Sequence, residues 1–559
     1  MSEPLVEIES LSISFANVNE GAPMVRGLSL SIFPGECVAL VGESGSGKSL
    51  TARSLLGLAG DGARVNATTL KIAGRNALEF TEHDWRQVRG RWAGLVMQDA
   101  LVSLDPLRTI GQEAGEVLDV HGLLDSRREV QQRVIEVFEQ VGIPQPEERV
   151  GQYAHQLSGG LRQRALIGAA IAGEPSLIIA DEPTTALDVT VQQQVIAVLA
   201  DRVARGAGLL IISHDLALVA QIADRVYVMQ AGVVVDSGPV AQVLTRPRHH
   251  YTRQLLAATP NEQSRGTHLS SARILPGIED HQPLRIERSP LPRRHIDTDQ
   301  VVLSVENIAK HYRRGGFGRR ATTFTALHSA SFQVCKGEVV GIVGESGSGK
   351  TTCANIVLGL LEPDHGSVQL LGQPWSHVPE TSRRPWRRQM QYIPQDPLSS
   401  FDPRYSVLQI IAENLQQPAN PRDQVSTLLS QVGLSGAYLD RHPRQLSGGQ
   451  RQRIAIARAL AAEPALIICD EPVSALDVYV QAQVLDLIGE LQAERGIALL
   501  FISHDLEVIR HVSDRVLVFH QGEVVEQGTV EQVFNAPRHP YTQQLLSAQP
   551  AVAAPPAYA

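Results

Sequence analysis

The sequence predicts an α/β fold written twice in one chain. Three observations predict it. Five short blocks recur in the same order: GESGSGKS at 42–49 returns as GESGSGKT at 344–351, QLSGG at 156–160 returns at 445–449, DEP at 181–183 returns at 470–472, ISHDL at 212–216 returns at 502–506, and HHYT at 249–252 returns as HPYT at 539–542. Each Gly-rich block follows a short apolar run, CVALVG at 37–42 or VVGIVG at 339–344, as buried parallel strands do. Further apolar runs end in polar groups: SLIIADE at 176–182 and ALIICDE at 465–471 in acids, LLIISHD at 209–215 and LLFISHD at 499–505 in His-Asp. Open α/β sheets place their ligand sites at such strand ends.

Taken in order, the first copy occupies 1–260. The spacing between equivalent blocks falls from 302 at the Gly-rich loops to 289 at QLSGG, so the first copy carries about thirteen extra residues between them. Surface loops or a helical insert are their expected place. Residues 261–300 read as an extended linker: Pro276, Pro283, Pro290 and Pro292 interrupt them, aromatic residues are missing, and no apolar period is sustained. The strand-like run VVLSVENI opens the second copy, 301–559. Length alone suggests about three to five domains for 559 residues. The repeat reduces that to two large units with smaller subdomains.

Composition excludes several classes. Hydrophobic residues at 43% and charged residues at 19% rule out wholesale disorder. A net charge of −9 and only 4% aromatic residues argue against a protein built to hold nucleic acid. Cys37, Cys335, Cys353 and Cys469 form no C-x-x-C pair, so structural zinc is not expected, and reduced cytosolic thiols are. The start, MSEPLVEIES, lacks a basic region followed by an apolar stretch, so no signal peptide is expected there, and no apolar run reaches the ~18–20 residues of a membrane span.

The pattern G-x-x-x-x-G-K-[ST] occurs as Gly42, Glu43, Ser44, Gly45, Ser46, Gly47, Lys48 and Ser49, and again as Gly344, Glu345, Ser346, Gly347, Ser348, Gly349, Lys350 and Thr351. Each sits between a predicted strand and a helix-compatible segment, the context in which such a loop cradles phosphate. Main-chain amides close around phosphate oxygens and the following helix adds its positive end. Lys48 and Lys350 would reach the β- and γ-phosphates, and Ser49 and Thr351 would place a hydroxyl on Mg²⁺. Asp181 and Asp470 end an apolar strand, where a carboxylate can hold Mg²⁺. Glu182 and Glu471, one residue on, can polarise an attacking water, although alone they would read as acidic caps before Pro183 and Pro472. Ser158, Gly159 and Gly160, and Ser447, Gly448 and Gly449, each precede a helix-like segment and make a second anion-binding turn. Two such elements per copy suggest sharing, each nucleotide lying between the loop of one copy and the turn of the other.

Together these residues resemble the ATP-binding subunit of an ABC transporter, and the resemblance covers both copies. It implies two tandem ABC-type P-loop NTPase domains, each with a RecA-like α/β core, an antiparallel β subdomain and an α-helical subdomain. In that family the Gly-rich loops correspond to Walker A, and Ser158–Leu161 and Ser447–Gln450 to the signature. Asp181/Glu182 and Asp470/Glu471 correspond to Walker B with the catalytic glutamate, Gln98 and Gln395 to the Q-loop that also reaches the metal, Asp188 and Asp477 to the D-loop, and His214 and His504 to the switch histidine. Phe15 and Tyr312 would stack on adenine. QDPLSSFDPR at 395–404, PVSALDVYVQAQVL at 472–485 and HPYTQQLL at 539–546 look like the peptide and nickel importer subclass, here with both ATPases fused.

The resemblance implies a cofactor pair, ATP and Mg²⁺, and an enzyme whose halves pair intramolecularly and whose ATP hydrolysis drives import. It implies two integral-membrane permease subunits and an extracytoplasmic substrate-binding protein as partners, no nucleic acid, and a peripheral place on the cytoplasmic face of the inner membrane. Peptide, glutathione, nickel chelate and opine-like cargo stay open. Two departures stand out: Leu161 replaces the signature Gln found at Gln450, with little damage expected, and His250 replaces the Pro found at Pro540. Without a cysteine after Cys469, no C-terminal iron–sulfur cluster is expected. The competing reading is a soluble dual-ABC translation factor acting on the ribosome. Its usual charged helical linker and basic surfaces do not match this Pro-broken linker and acidic chain.

Overall fold

The structure is a computed structural model that describes residues 3–15, 22–184, 187–275, 285–314, 322–416, 420–474 and 476–548. It resolves into two compact units. One runs to Ala257, and the other takes Ala258–Ala272 and the chain from Glu287 to its described end. Pro276 and Pro283 of the expected linker lie outside the described residues.

In the first unit the apolar runs become strands of one sheet, in the order Val233–Pro239, Arg225–Gln230, Cys37–Gly42, Gly208–Ile212, Leu177–Asp181 and Ala93–Val96. Five of the six are parallel, and Val233–Pro239 is an antiparallel edge. The three central runs are buried along their whole length, which is why they read as continuous apolar stretches rather than alternating ones. A second, antiparallel sheet of Val25–Ile32, Val6–Phe15, Thr69–Ile72 and Arg75–Asn76, with Ala63–Asn66 on Val6–Phe15, supplies the β subdomain. Its inward residues, Val6, Ile8, Leu11 and Ile13, share a core with Leu55, Leu56, Leu177 and Leu210.

The second unit repeats the plan. Its parallel strands are Arg515–His520, Val339–Gly344, Ala498–Ile502, Leu466–Asp470 and Met390–Ile393, with Glu523–Thr529 as the antiparallel edge. The long hairpin Asp297–Arg314 and Thr322–Lys336, with His365–Leu370 and Gln373–Pro374, forms the β subdomain, and one bridge from Ser329 to Glu523 joins the two into a ten-stranded sheet.

Helices complete each unit. Ile110–Val120, Arg127–Gln140 and Gly159–Ile171 pack together in the first, and Val407–Ala412, Pro421–Gln431 and Gly448–Leu460 in the second. The extra residues of the first copy separate into two places. Five fall before Gln98, where the strand Ala63–Asn66 has been added, and eight between Gln98 and Ser158. There the two helices measure 11 and 14 residues, against 6 and 11 in the second unit.

The segment after Ala258 is held on the second unit by specific bonds. Asp486, only 4% exposed on the helix Val478–Arg495, accepts from Leu269 N, Ser270 N and Ser270 Oγ at 2.8, 2.8 and 2.6 Å. Ser264 Oγ lies 3.0 Å from His511 Nδ1, and Arg294 pairs with Asp514 at 3.1 Å. A carboxylate buried that far requires such partners. All four cysteines are free thiols. No helix among the described residues is long and apolar enough to cross a membrane.

Candidate active site in each half

The sheet order brings the separated motifs to one edge. The Gly-rich loop leaves Cys37–Gly42. Asp181 ends Leu177–Asp181 two strands away, His214 follows the strand between them, and Gln98 follows Ala93–Val96. Asp181 and Leu40 both lie in register with Ile212. The second half places Gly344, Asp470, His504 and Gln395 identically, with Ile502 as the shared neighbour.

The loop shape demands glycine at its first position. Gly42 has φ 143° and a Cβ there would lie 2.0 Å from Met229 O. Gly344 has φ 145° and 2.1 Å from Phe519 O. Any larger residue would push the loop off the neighbouring strand. Lys48 Nζ donates to Gly42 O and Glu43 O at 2.8 and 2.7 Å, and Lys350 Nζ to Gly344 O and Glu345 O at 2.7 and 2.9 Å. The lysines thus fold back over their own loops. Ser46 Oγ and Ser348 Oγ are buried without a hydrogen-bond partner among the described residues. A buried hydroxyl left without a partner in each glycine-rich loop suits a phosphate oxygen.

Glu182 and Glu471 stand in the left-handed region, φ 51° and 49°, and their amides donate to Ile212 O and Ile502 O at 2.9 Å each. A non-glycine residue held there costs about 1–2 kcal/mol, a strain that recurs at functional positions. Gln98 Nε2 donates to Glu182 Oε2 at 3.3 Å and Gln395 Nε2 to Glu471 Oε2 at 2.8 Å. His214 Nδ1 lies 3.2 Å from Glu182 and His504 Nδ1 3.2 Å from Glu471. Burial works against charge on both histidines, but the hydrogen bond and negative field of the glutamate outweigh it and raise their pKa. Burial likewise opposes charge on Glu471, yet the bond and field of His504 hold its pKa below the usual carboxylate range. Asp181 and Asp470 are raised, chiefly by burial.

Ser49 Oγ donates to Asp181 Oδ1 at 2.9 Å. That hydroxyl and carboxylate, joined by the amide oxygen of Gln98, would offer Mg²⁺ the oxygen donors it takes. In the second half Thr351 and Asp470 line a common cavity. Asp470 also accepts from Tyr392 Oη at 3.1 Å, a contact the sequence did not announce.

The signature turns are helix N-caps, as their sequence indicated. Leu161 N donates to Ser158 Oγ at 3.4 Å, at the start of Gly159–Ile171. Ser447 caps Gly448–Leu460 within a full capping box, because Ser447 N in turn donates to Gln450 Oε1 at 3.0 Å. Leu161 cannot do this. Asp188 and Asp477 cap the helices that follow Walker B.

Tyr312 is 42% exposed and lines a cavity of about 360 Å³ with Phe324, Lys350, Thr351 and Asp470. Phe324 pairs directly across the hairpin from Tyr312 and is 52% exposed. It was missed because nothing local distinguishes it. A cross-strand count from Tyr312 would have found it. Phe15 takes the equivalent place in the first half but lies half-buried against that unit's core, opposite Ala63.

Comparison with known proteins adds the following. The ABC transporter family matches residues 25–185 and 327–474, and the oligopeptide/dipeptide transporter C-terminal region matches 235–282 and 525–558. The chain is 40% identical to the oligopeptide transport ATP-binding protein OppD of Mycobacterium tuberculosis over 98% of each chain. It is 41% identical to the peptidoglycan transport ATP-binding protein YejF of Agrobacterium fabrum over 98% of this chain and 96% of that one. Among solved structures, the archaeal ribosome recycling factor aABCE1, in complex with the stalk protein aP1, matches with a TM-score of 0.57 at 21% identity, over 92% of this chain and 88% of the other. That likeness concerns the fold.

Proposed function

The chain belongs to the ABC transporter family, and on that premise we propose that it is the fused ATPase of an importer for peptides or related small solutes, working through separate membrane permeases. The observation that supports this reading best is the pairing, in each half, of a full hydrolytic set with the oligopeptide/dipeptide C-terminal region. The two-cassette fold shared with a ribosome recycling factor accounts for the cassettes but not for that region.

In this reading the glycine loops and Lys48 or Lys350 bind the triphosphate of ATP. Ser158–Gly160 and Ser447–Gly449 supply the second anion-binding turns. Mg²⁺, held by Ser49, Asp181 and Gln98 or by Thr351, Asp470 and Gln395, would neutralise charge on the phosphates. Glu182 and Glu471 orient the attacking water and take its proton. His214 and His504 fix the carboxylates, and His504 helps keep Glu471 ionised. Tyr312 and Phe324 offer the adenine a platform in the second half. Beside Gln98, Val102 and Leu107 are 82% and 84% exposed, an apolar surface suited to a permease. An extracytoplasmic binding protein would choose the cargo, and the inner membrane's cytoplasmic face is the place of work.

Purification of the tagged full chain from its own cells tests the assignment. Integral-membrane permeases are expected with it, together with Mg²⁺-dependent ATP hydrolysis. Recovery of ribosomes without permeases would overturn the reading.

A further inference from the structure

The HHYT and HPYT blocks run into the helices His250–Ala258 and Pro540–Ser547, and none of the chemistry above uses them. The fold carries each back to the phosphate loop of its own half. Glu43 N donates to Tyr251 Oη at 2.8 Å, and Glu345 N donates to Tyr541 Oη at 3.0 Å. Both tyrosines are nearly buried, 5% and 7% exposed.

The start of each tyrosine's helix is itself anchored. Asp236 Oδ2, on the strand Val233–Pro239, accepts from Arg248 N and His249 N at 2.9 and 3.1 Å. Glu526, on Glu523–Thr529, accepts from Arg538 N and His539 N at 2.8 and 3.0 Å. His249 Nδ1 and His539 Nδ1 then accept from Tyr251 N and Tyr541 N at 3.2 Å each. In the second half His520 also stacks on Tyr541, ring centres 3.8 Å apart.

The bond falls on a telling atom. The peptide joining Gly42 to Glu43 is gripped at both ends: Lys48 holds its carbonyl and Tyr251 its amide. Lys350 and Tyr541 grip the peptide between Gly344 and Glu345 in the same way. A lysine that turns toward phosphate releases the carbonyl, and the tyrosine bond then remains to hold the peptide's orientation.

We propose that Tyr251 and Tyr541 are positioning residues that keep each phosphate loop in its anion-binding shape, so that the C-terminal region sets nucleotide affinity. The inference rests on the phosphate-loop reading above. It is tested in the full chain with Tyr251→Phe, Tyr541→Phe and the double variant, beside Lys48→Ala/Lys350→Ala, by calorimetric titration with Mg·ATP and Mg·ADP. Loss of one net hydrogen bond predicts an affinity about 3–10-fold weaker at the altered half. KM should rise with it, kcat should stay within about twofold, and the nucleotide-induced rise in Tm should shrink. A lower Tm without nucleotide together with unchanged affinity would make the tyrosines merely structural and overturn the assignment. Unchanged binding by Lys48→Ala/Lys350→Ala would overturn the phosphate-loop reading beneath it. Hydrogen exchange on the unaltered chain gives a second measurement should a variant not fold. Slow exchange at the Glu43 and Glu345 amides supports the bond, and exchange at the rate of an open loop contradicts it.

Discussion

The two halves hold the same reacting groups on different supports. Loop, glutamate and histidine superimpose in role and nearly in distance: each histidine lies 3.2 Å from its glutamate. The surroundings diverge. Asp181 accepts from Ser49, while Asp470 accepts from Tyr392, whose place in the first half is held by Leu95. Ser447 has a capping box that Ser158 lacks. His511 and Glu507 on the second half's helix correspond to Gln221 and Ala217. Groups that would meet phosphate and water on the proposed reading keep one geometry, whereas the residues bracing them have been exchanged for others.

The sharpest break would come from the glutamates. If Glu182 and Glu471 are the general bases proposed above, Glu182→Gln/Glu471→Gln should lower the ATPase rate about 100-fold or more. Each single variant should lose a comparable share. A wild-type rate in either single variant would show that the halves do not share hydrolysis.

Acid should separate the halves next. Burial, opposed by Asp486 and assisted by Arg288 and Arg294, pushes His511 down to about 4. The unfolded state takes up this proton near pH 6.5 and the folded state only near 4, so stability falls as pH drops through that window. The loss amounts to about 3 kcal/mol. Glu507, raised by burial to about 7, has the opposite slope between pH 4.5 and 7, because there the folded state binds the extra proton. Calorimetric unfolding against pH should therefore show His511→Gln reducing the acid loss and Glu507→Gln steepening it, both in the second unit's transition. A shift in the first unit's transition instead would contradict the comparison.

Tyr392→Phe removes one bond to Asp470 and should cost about 1 kcal/mol, seen as a several-fold higher Mg²⁺ requirement for hydrolysis. Leu95→Phe, its counterpart, should leave that requirement unchanged. The smallest effect concerns the signature helices. Gln450→Leu should destabilise the second unit by about 0.5–1 kcal/mol, and Leu161→Gln should stabilise the first by a similar or smaller amount, read from denaturant unfolding.

The sequence by itself determined the double α/β plan, the strands that feed each loop, and the eight residues of each glycine-rich loop. These are local objects: a glycine pattern dictates backbone angles over a single turn, and a buried strand declares itself by its unbroken apolar run. Only the tertiary structure decided that Tyr251 lies on Glu43, 208 positions away, that Tyr392 reaches Asp470, and that Phe324 stands beside Tyr312. It alone showed Glu182 and Glu471 in the left-handed region, and it alone gave Asp486 its partners from the segment after Ala258. Such contacts depend on which strands become neighbours and in what register. No local pattern encodes that, because it is fixed by burying the whole sheet at once.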